Sequence, residues 1–206
     1  TEAVARLCIQ ANTRLSSDAE AALRDACARE PWPGAKGILS DLCANLDLAR
    51  ETGLPICQDT GIVTVFAELG QDVHITGGDF ESAVQEGVRR GYAEGYLRKS
   101  VVSDPLRRVN TGDNTPAAVC VRIVPGEHVK LTVSPKGAGS ENMCRVKMLT
   151  PAMGEAGVRE FVLDTVRAAG GNPCPPIVVG VGIGGGFDSV AALSRRALLR
   201  PLDSAN

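Results

Sequence analysis

Aromatic side chains make up only 3% of the 206 residues, shared among four Phe, two Tyr and one Trp. That leaves few platforms on which bases could stack, and a formal net charge of -2 provides no basic excess to meet a phosphate backbone. Nucleic acid is therefore not expected as a partner. Long apolar runs are also missing: none approaches the roughly 18 residues a membrane span needs, so no membrane partner is expected. The opening residues, Thr1-Glu2-Ala3-Val4-Ala5-Arg6, lack the basic and apolar regions of a secretory signal, which points to a cytoplasmic chain. They also lack a Met, so the chain is expected to begin downstream of its gene's start. Histidine is scarce. His74 and His128 stand alone in predicted strands, with no H-x-E or H-x-x-x-H companion, and are expected to be structural.

Hydrophobic residues at 44% and charged residues at 22% are ordinary for a globular protein, and the length allows one domain with a substantial core or two small ones. With so few aromatics, that core must be built from Val, Ile, Leu and Ala. Cysteine is not scarce. Cys8, Cys27, Cys43, Cys57, Cys120, Cys144 and Cys174 are an odd count without the paired spacings of a zinc site or a disulfide framework. With no secretory signal, a reducing compartment is expected. Cys8, Cys27 and Cys43 fall in helical segments, where free cysteine is expected to pack as a small apolar residue.

The first fifty residues read as helices. Ser17-x-x-Glu20 has the form of a capping box ahead of an alanine-rich segment to about Arg29. Ile38, Leu39, Leu42, Cys43, Leu46 and Ala49 repeat at helical spacing, with Gly53 as the stop. Strands are expected over Gly61–Leu69 and Val73–Thr76, then a helix capped by Asp79 and running to about Arg98. Gly87, Gly91 and Gly95 lie on one face of that helix, where they permit close packing. Ala117–Val124 and His128–Val133 flank Pro125-Gly126-Glu127 as a hairpin-like pair. A helix from about Glu155 to Ala169, a buried strand over Ile177–Ile183 and a helix from about Asp188 to Leu199 complete the chain. The fold class is α+β: N-terminal helices (1–53) followed by a mixed β-sheet region with packed helices (54–206).

Chemistry concentrates in five stretches. Pro55-Ile56-Cys57-Gln58-Asp59-Thr60-Gly61 places a thiol, an amide, a carboxylate and a hydroxyl in a row before a strand. In Asn172-Pro173-Cys174-Pro175-Pro176 the prolines fix φ and lack N–H groups, holding Cys174 out of regular pairing. Asn110-Thr111-Gly112-Asp113-Asn114-Thr115-Pro116 reads as a loop rich in side-chain-to-backbone hydrogen bonds, or as one wall of an active site. Ser134-Pro135-Lys136-Gly137-Ala138-Gly139-Ser140-Glu141-Asn142 lets backbone N–H groups converge beside Lys136, which favours an anion over a plain glycine turn. Gly180-Val-Gly182-Ile-Gly184-Gly185-Gly186 contains G-x-G-x-x-G, but only 21 residues follow Gly185, too few for a dinucleotide-binding unit. Close strand-to-helix contact, or backbone near a ligand, is the better reading. Arg98, where the glycine-spaced helix ends, is either a solvated terminus or a bidentate grip on a carboxylate.

Taken in order, these five stretches resemble the α subunit, or N-terminal domain, of class I iron–sulfur fumarate hydratases and the related L-tartrate dehydratases. The resemblance spans essentially residues 1–206, read as one family domain whose C-terminal part is absent. It implies a [4Fe–4S] cluster held by three cysteines, whose open iron is a Lewis acid towards the substrate hydroxyl and carboxylate. Cys57 and Cys174 match two ligands. The third lies in an Asn-Val-Gln-Cys-His-like segment beyond the point corresponding to Asn206, and none of the other five cysteines takes its place. Asp59 matches a residue tied to protonation. Gln58, Arg98, Lys136, Gly137 and Gly139 match positions near the substrate carboxylates. The implied activity is reversible hydration of fumarate to L-malate, with L-tartrate dehydration as the nearest alternative. The implied partners are a β subunit or C-terminal domain, assembled as a dimer of αβ units, and a small dicarboxylate. Without the β portion the chain is expected to be inactive. A non-catalytic module binding a dicarboxylate or nucleotide is the alternative from a different class.

Overall fold

A computed structural model describes residues 1–205, which divide into two compact units, Thr1–Lys136 and Gly137–Asn206. The first opens with three helices, α1 (Glu2–Thr13), α2 (Ser17–Arg29) and α3 (Pro33–Thr52). Pro33 sits in the first turn of α3, where its missing N–H removes nothing from the helix, and Gly53 ends that helix at φ +71°. The capping box expected at Ser17 does not form. Ser16 is the N-cap, Ser17 is already helical, and no side-chain cap bond is made. A Ser one position early leaves the Ser17–Glu20 pair inside the first turn.

The sheet has three strands, β1 (Ile62–Gly70), β2 (Ala118–Val124) and β3 (Val129–Lys136), with α4 (Phe80–Glu94) between the first two in sequence. Its order is β2-β1-β3. β1 runs parallel to β2, with Val65 opposite Val119, and antiparallel to β3, with Val65 opposite Val133. The sheet is mixed, as the fold class requires, but β2 and β3 are not a paired hairpin. β1 lies between them. The Pro125-Gly126-Glu127 turn joins strands two positions apart, because burial of Val63, Val65, Phe66 and Ala67 makes β1 the central strand. Val73–Thr76 forms no strand, and His74 and His128 both lie outside strands and are exposed.

The core joins one sheet face to α1 and α4. Val4, Cys8, Val63, Val65, Val84, Val88, Tyr92, Leu97 and Ala117 form it, with Leu131 and Val133 packed alongside. Each fully buried Val contributes about 1.5–3 kcal/mol through apolar area removed from water. Asp79 caps α4 as expected, its carboxylate accepting the Ser82 N–H at 2.7 Å. The α4 glycines are contact points. A Cβ on Gly87 would lie 2.6 Å from the Thr1 carbonyl oxygen, and one on Gly91 would lie 2.7 Å from that of Ala5. α1 therefore rests on the α4 backbone.

The second unit holds a four-residue helix α5 (Ala138–Glu141), a 3-10 turn at Pro151–Met153, α6 (Gly154–Ala169) and α7 (Phe187–Ala197). The expected buried strand over Ile177–Ile183 is absent. The segment takes no regular secondary structure, and Val178 and Ile183 are 57% and 69% exposed. An apolar run shows that a segment favours burial, not which partner strand lies beside it. Glycines there do allow close contact with a helix. A Cβ on Gly180 would meet the Ser194 carbonyl oxygen at 2.3 Å, and one on Gly182 that of Val190 at 2.6 Å, both on α7.

Candidate functional site

The loop carrying Cys57 is pinned at both ends. Before it, Ile56 donates its N–H to the Asn12 carbonyl at the end of α1 (2.8 Å). The Ile56 carbonyl in turn accepts from the Asn45 amide on α3 (2.8 Å). With both backbone groups of Ile56 satisfied, the next three residues project outward. Cys57 and Gln58 are exposed and Asp59 half-buried. The Cys57 thiol donates to Gln58 Oε1 (3.4 Å), and the Asp59 N–H points at Cys57 Sγ (3.5 Å). Asp59 Oδ1 accepts the Gly61 N–H (3.1 Å), a short Asx turn that fixes the carboxylate's orientation.

After the loop, Thr60 and Gly61 are tied to everything around them. The Thr60 hydroxyl donates to the Arg98 carbonyl (2.9 Å), which sets where the exposed Arg98 side chain starts. The Tyr92 hydroxyl, fully buried on α4, donates to the carbonyls of Thr60 (2.6 Å) and Gly61 (3.1 Å). Burial, and after it the neighbouring Cys8 thiol, hold the Tyr92 phenol well above its ordinary range. Gly61 has φ +75°, and a Cβ there would lie 2.6 Å from the Lys136 backbone. Only glycine lets the loop and the end of β3 approach so closely. Lys136 thus stands beside the same loop as Cys57, Gln58, Asp59 and Arg98.

Asn114 completes this frame. Fully buried, it accepts the Ser100 and Val101 N–H groups on Oδ1 (2.7 and 3.2 Å) and donates from Nδ2 to the Gly61 carbonyl (3.2 Å). One amide therefore joins the segment after Arg98 to the segment after Asp59. Around it the Asn110–Pro116 loop is rich in side-chain-to-backbone bonds. Asn110 Oδ1 accepts the Gly112 N–H (2.7 Å), and Asp113 Oδ1 accepts the Thr115 N–H (2.9 Å). Burial pushes the Asp113 carboxyl up, but bonds from Thr115 and from the Arg89 guanidinium outweigh it and bring the group down to about 2. Thr60, Tyr92, Asn114, Asn12 and Asn45 escaped the sequence reading as positioning residues. The Asn-rich turn was the one signal that could have found Asn114.

In the second unit, Gly137 is the N-cap of α5 and Gly139 lies within it. A Cβ on Gly139 would meet the Asn172 carbonyl oxygen at 2.5 Å, and the Asn172 amide reaches Met143 Sδ (3.5 Å). The Gly137–Gly139 backbone and the Cys174 loop therefore sit against each other. Cys174 is exposed, with φ +57° in the left-handed region, a conformation costing a non-glycine residue about 1–2 kcal/mol. Glu141 is paired with Arg195, fastening α5 to α7. Exposed Cys57 and Cys174 are donors of the kind that iron–sulfur sites use, unlike fully buried Cys8, whose thiol desolvation pushes up to about 12. Their chemistry fits the group. Among the described residues no three His, Cys, Asp or Glu side chains gather as a metal set. Two shallow hollows, one beside Arg6, Ile9 and Glu94 and one beside Asp79, Ser82 and Arg89, contain none of the candidate residues.

An α+β chain with an exposed thiol and amide beside a half-buried carboxylate on one braced loop has the makings of a lyase site. The profile of the family described as Fumarate hydratase (Fumerase) matches residues 1–206. The putative L(+)-tartrate dehydratase subunit alpha of Methanocaldococcus jannaschii is 38% identical, over 98% of this chain and 73% of that protein. The L(+)-tartrate dehydratase subunit alpha of Escherichia coli (strain K12) is 32% identical, over 99% of this chain and 68% of that protein. The chain belongs to the fumarate hydratase family. It is a hydro-lyase. No described helix is long and apolar enough to cross a membrane.

Proposed function

We propose that this chain is the α portion of an iron–sulfur hydro-lyase that reversibly hydrates fumarate to L-malate, working with a β portion in a reducing, cytoplasmic setting. The observation that carries the reading is the loop itself: Cys57, Gln58 and Asp59 in succession, braced at Ile56 and Gly61. Family membership supports the reaction class. Relatives named as alpha subunits support a β partner.

In this proposal Cys57 and Cys174 are thiolate ligands of a [4Fe–4S] cluster, a third ligand coming from outside residues 1–206. When bound, such a cluster supplies Lewis acidity towards a hydroxyl and a carboxylate. The chain's own residues do the rest. Arg98 and Lys136 hold the dicarboxylate by charge, Arg98 with a planar fork suited to bidentate grip. Gly137 and Gly139 offer backbone N–H groups to a carboxylate. Gln58 offers its amide as a neutral donor and acceptor. Asp59 moves a proton at its carboxyl group, held in plane through Oδ1 by the Gly61 N–H.

Dehydration of L(+)-tartrate is the second reading, favoured by the names of the relatives. One hydroxyl separates its product chemistry from that of malate. Anaerobic assembly with the β portion, loading with iron and sulfide, and parallel assays on fumarate, L-malate and L(+)-tartrate test both. Turnover on fumarate and malate well above tartrate supports the first reading, and the reverse ratio replaces it with the second. A loaded complex that turns over none of the three would overturn the hydro-lyase assignment on dicarboxylates.

A further inference from the structure

Helices α2 and α3 run antiparallel and are laced by rungs of side-chain pairs. Glu20 pairs with Arg50, and Arg24 with Asp47 at 2.5 Å. Each step along α2 is matched by a step back along α3. The next rung of the same register brings Cys27 opposite Cys43, near enough for the Cys27 thiol to act on that of Cys43. Both cysteines are partly exposed, whereas Cys8 is fully buried. α2 buries no residue completely, so polar rungs carry much of its attachment to α3.

We propose that Cys27 and Cys43 form a redox-modification site, a dithiol that hydrogen peroxide closes to a disulfide between α2 and α3. In the first step the Cys27 sulfur, as thiolate, attacks one peroxide oxygen and the O–O bond breaks. Cys27 becomes a sulfenic acid, and the departing hydroxide takes a proton to leave as water. The Cys43 sulfur then attacks the Cys27 sulfur. The S–O bond breaks, and hydroxide leaves with the Cys43 proton as a second water. Two thiols lose two electrons in all, and one peroxide is reduced to two waters. The order follows from the surroundings: burial, then the neighbouring Cys27 thiol, raise the Cys43 thiol, so it remains protonated longer and acts second. Neither helix carries a residue assigned above to cluster or substrate, so the site stands apart from the proposed hydro-lyase reaction.

The sequence allows a direct test on the full chain. Trypsin isolates Cys27 in the peptide Asp25–Arg29 and Cys43 in Gly37–Arg50, each with one cysteine. After peroxide treatment, blocking with iodoacetamide and digestion without reductant, the two peptides should be found joined, two hydrogens lighter than their sum. Dithiothreitol should separate them. In Cys43→Ser, Cys27 should instead be trapped by dimedone as its sulfenic acid. Recovery of both peptides singly alkylated, after peroxide has consumed exposed Cys57 and Cys174, would overturn the proposal, as would joining of either peptide chiefly to another cysteine.

Discussion

The Tyr92 hydroxyl lies 2.6 Å from the Thr60 carbonyl oxygen and donates to it from the middle of α4. That bond ties the buried core to the loop bearing Cys57 and Asp59. Replacing Tyr92 by Phe keeps the ring's packing and removes the donor, leaving two inward carbonyls short of a partner. Loss of a buried hydrogen bond of this kind costs about 1–3 kcal/mol. Urea unfolding of the full chain should show a lower midpoint with unchanged slope. An unaltered midpoint would mean that water replaces the hydroxyl without loss.

Asn114 should tolerate no substitute. Asn114→Asp retains the acceptor for the Ser100 and Val101 N–H groups but cannot donate to the Gly61 carbonyl. It also buries a charge. Asn114→Ala loses all three bonds. Both variants should be destabilised by about 1–3 kcal/mol or more. In the assembled enzyme, the loosened loop should lower kcat more than it raises KM, measured at equal iron content.

For Asp59, the variant Asn is nearly isosteric and can still accept the Gly61 N–H. What disappears is a group that exchanges a proton. In the complete enzyme kcat should fall by about 10²–10⁴-fold with little change in KM. Steady-state kinetics within about threefold of wild type, well short of that proton-transfer range, would leave Asp59 as a turn residue only.

Gly91→Ala sets two effects against each other. Alanine favours the helix over glycine by about 1 kcal/mol. The new methyl, however, would lie 2.7 Å from the Ala5 carbonyl oxygen and 2.9 Å from Cys8 Cβ. Overpacking against a well-filled core costs about 1–3 kcal/mol, so a net loss of stability is expected. A higher melting temperature would show that α1 shifts outward freely.

Asp113 links stability to acid pH. Its carboxyl is lowered in the folded chain from the ordinary 3.8 to about 2, so its contribution is complete above pH 3.8. It is lost as pH falls through the folded value near 2. Wild type should lose its advantage over Asp113→Asn across that window, as measured by thermal unfolding at stepped pH. A constant difference would remove Asp113 from the acid response.

Much of the fold was legible because local rules acted alone. Asp79 capped its helix, Gly53 ended another, and Gly87 and Gly91 marked where a second helix rests. Pairing across the chain was less legible. Two strands joined by Pro125-Gly126-Glu127 look like a hairpin until a third is known to separate them, and nothing in Ile177–Ile183 states whether a neighbour lies beside it. The site divides in the same way. Cys57, Gln58 and Asp59 announce themselves through adjacent chemistry. Asn12, Asn45, Tyr92 and Asn114 act on backbone groups from 31 to 53 residues away or from other helices, and their types alone do not reveal it.

The central place of β1 has a consequence for synthesis. It leaves the ribosome before either neighbour exists, and its last partner, β3, ends at Lys136, 66 residues after Gly70. At about 5–20 residues per second, that interval lasts about 3–13 s. For most of it, until β2 is complete at Val124, the apolar strand Ile62–Gly70 has both edges unpaired, and only helices can shield it.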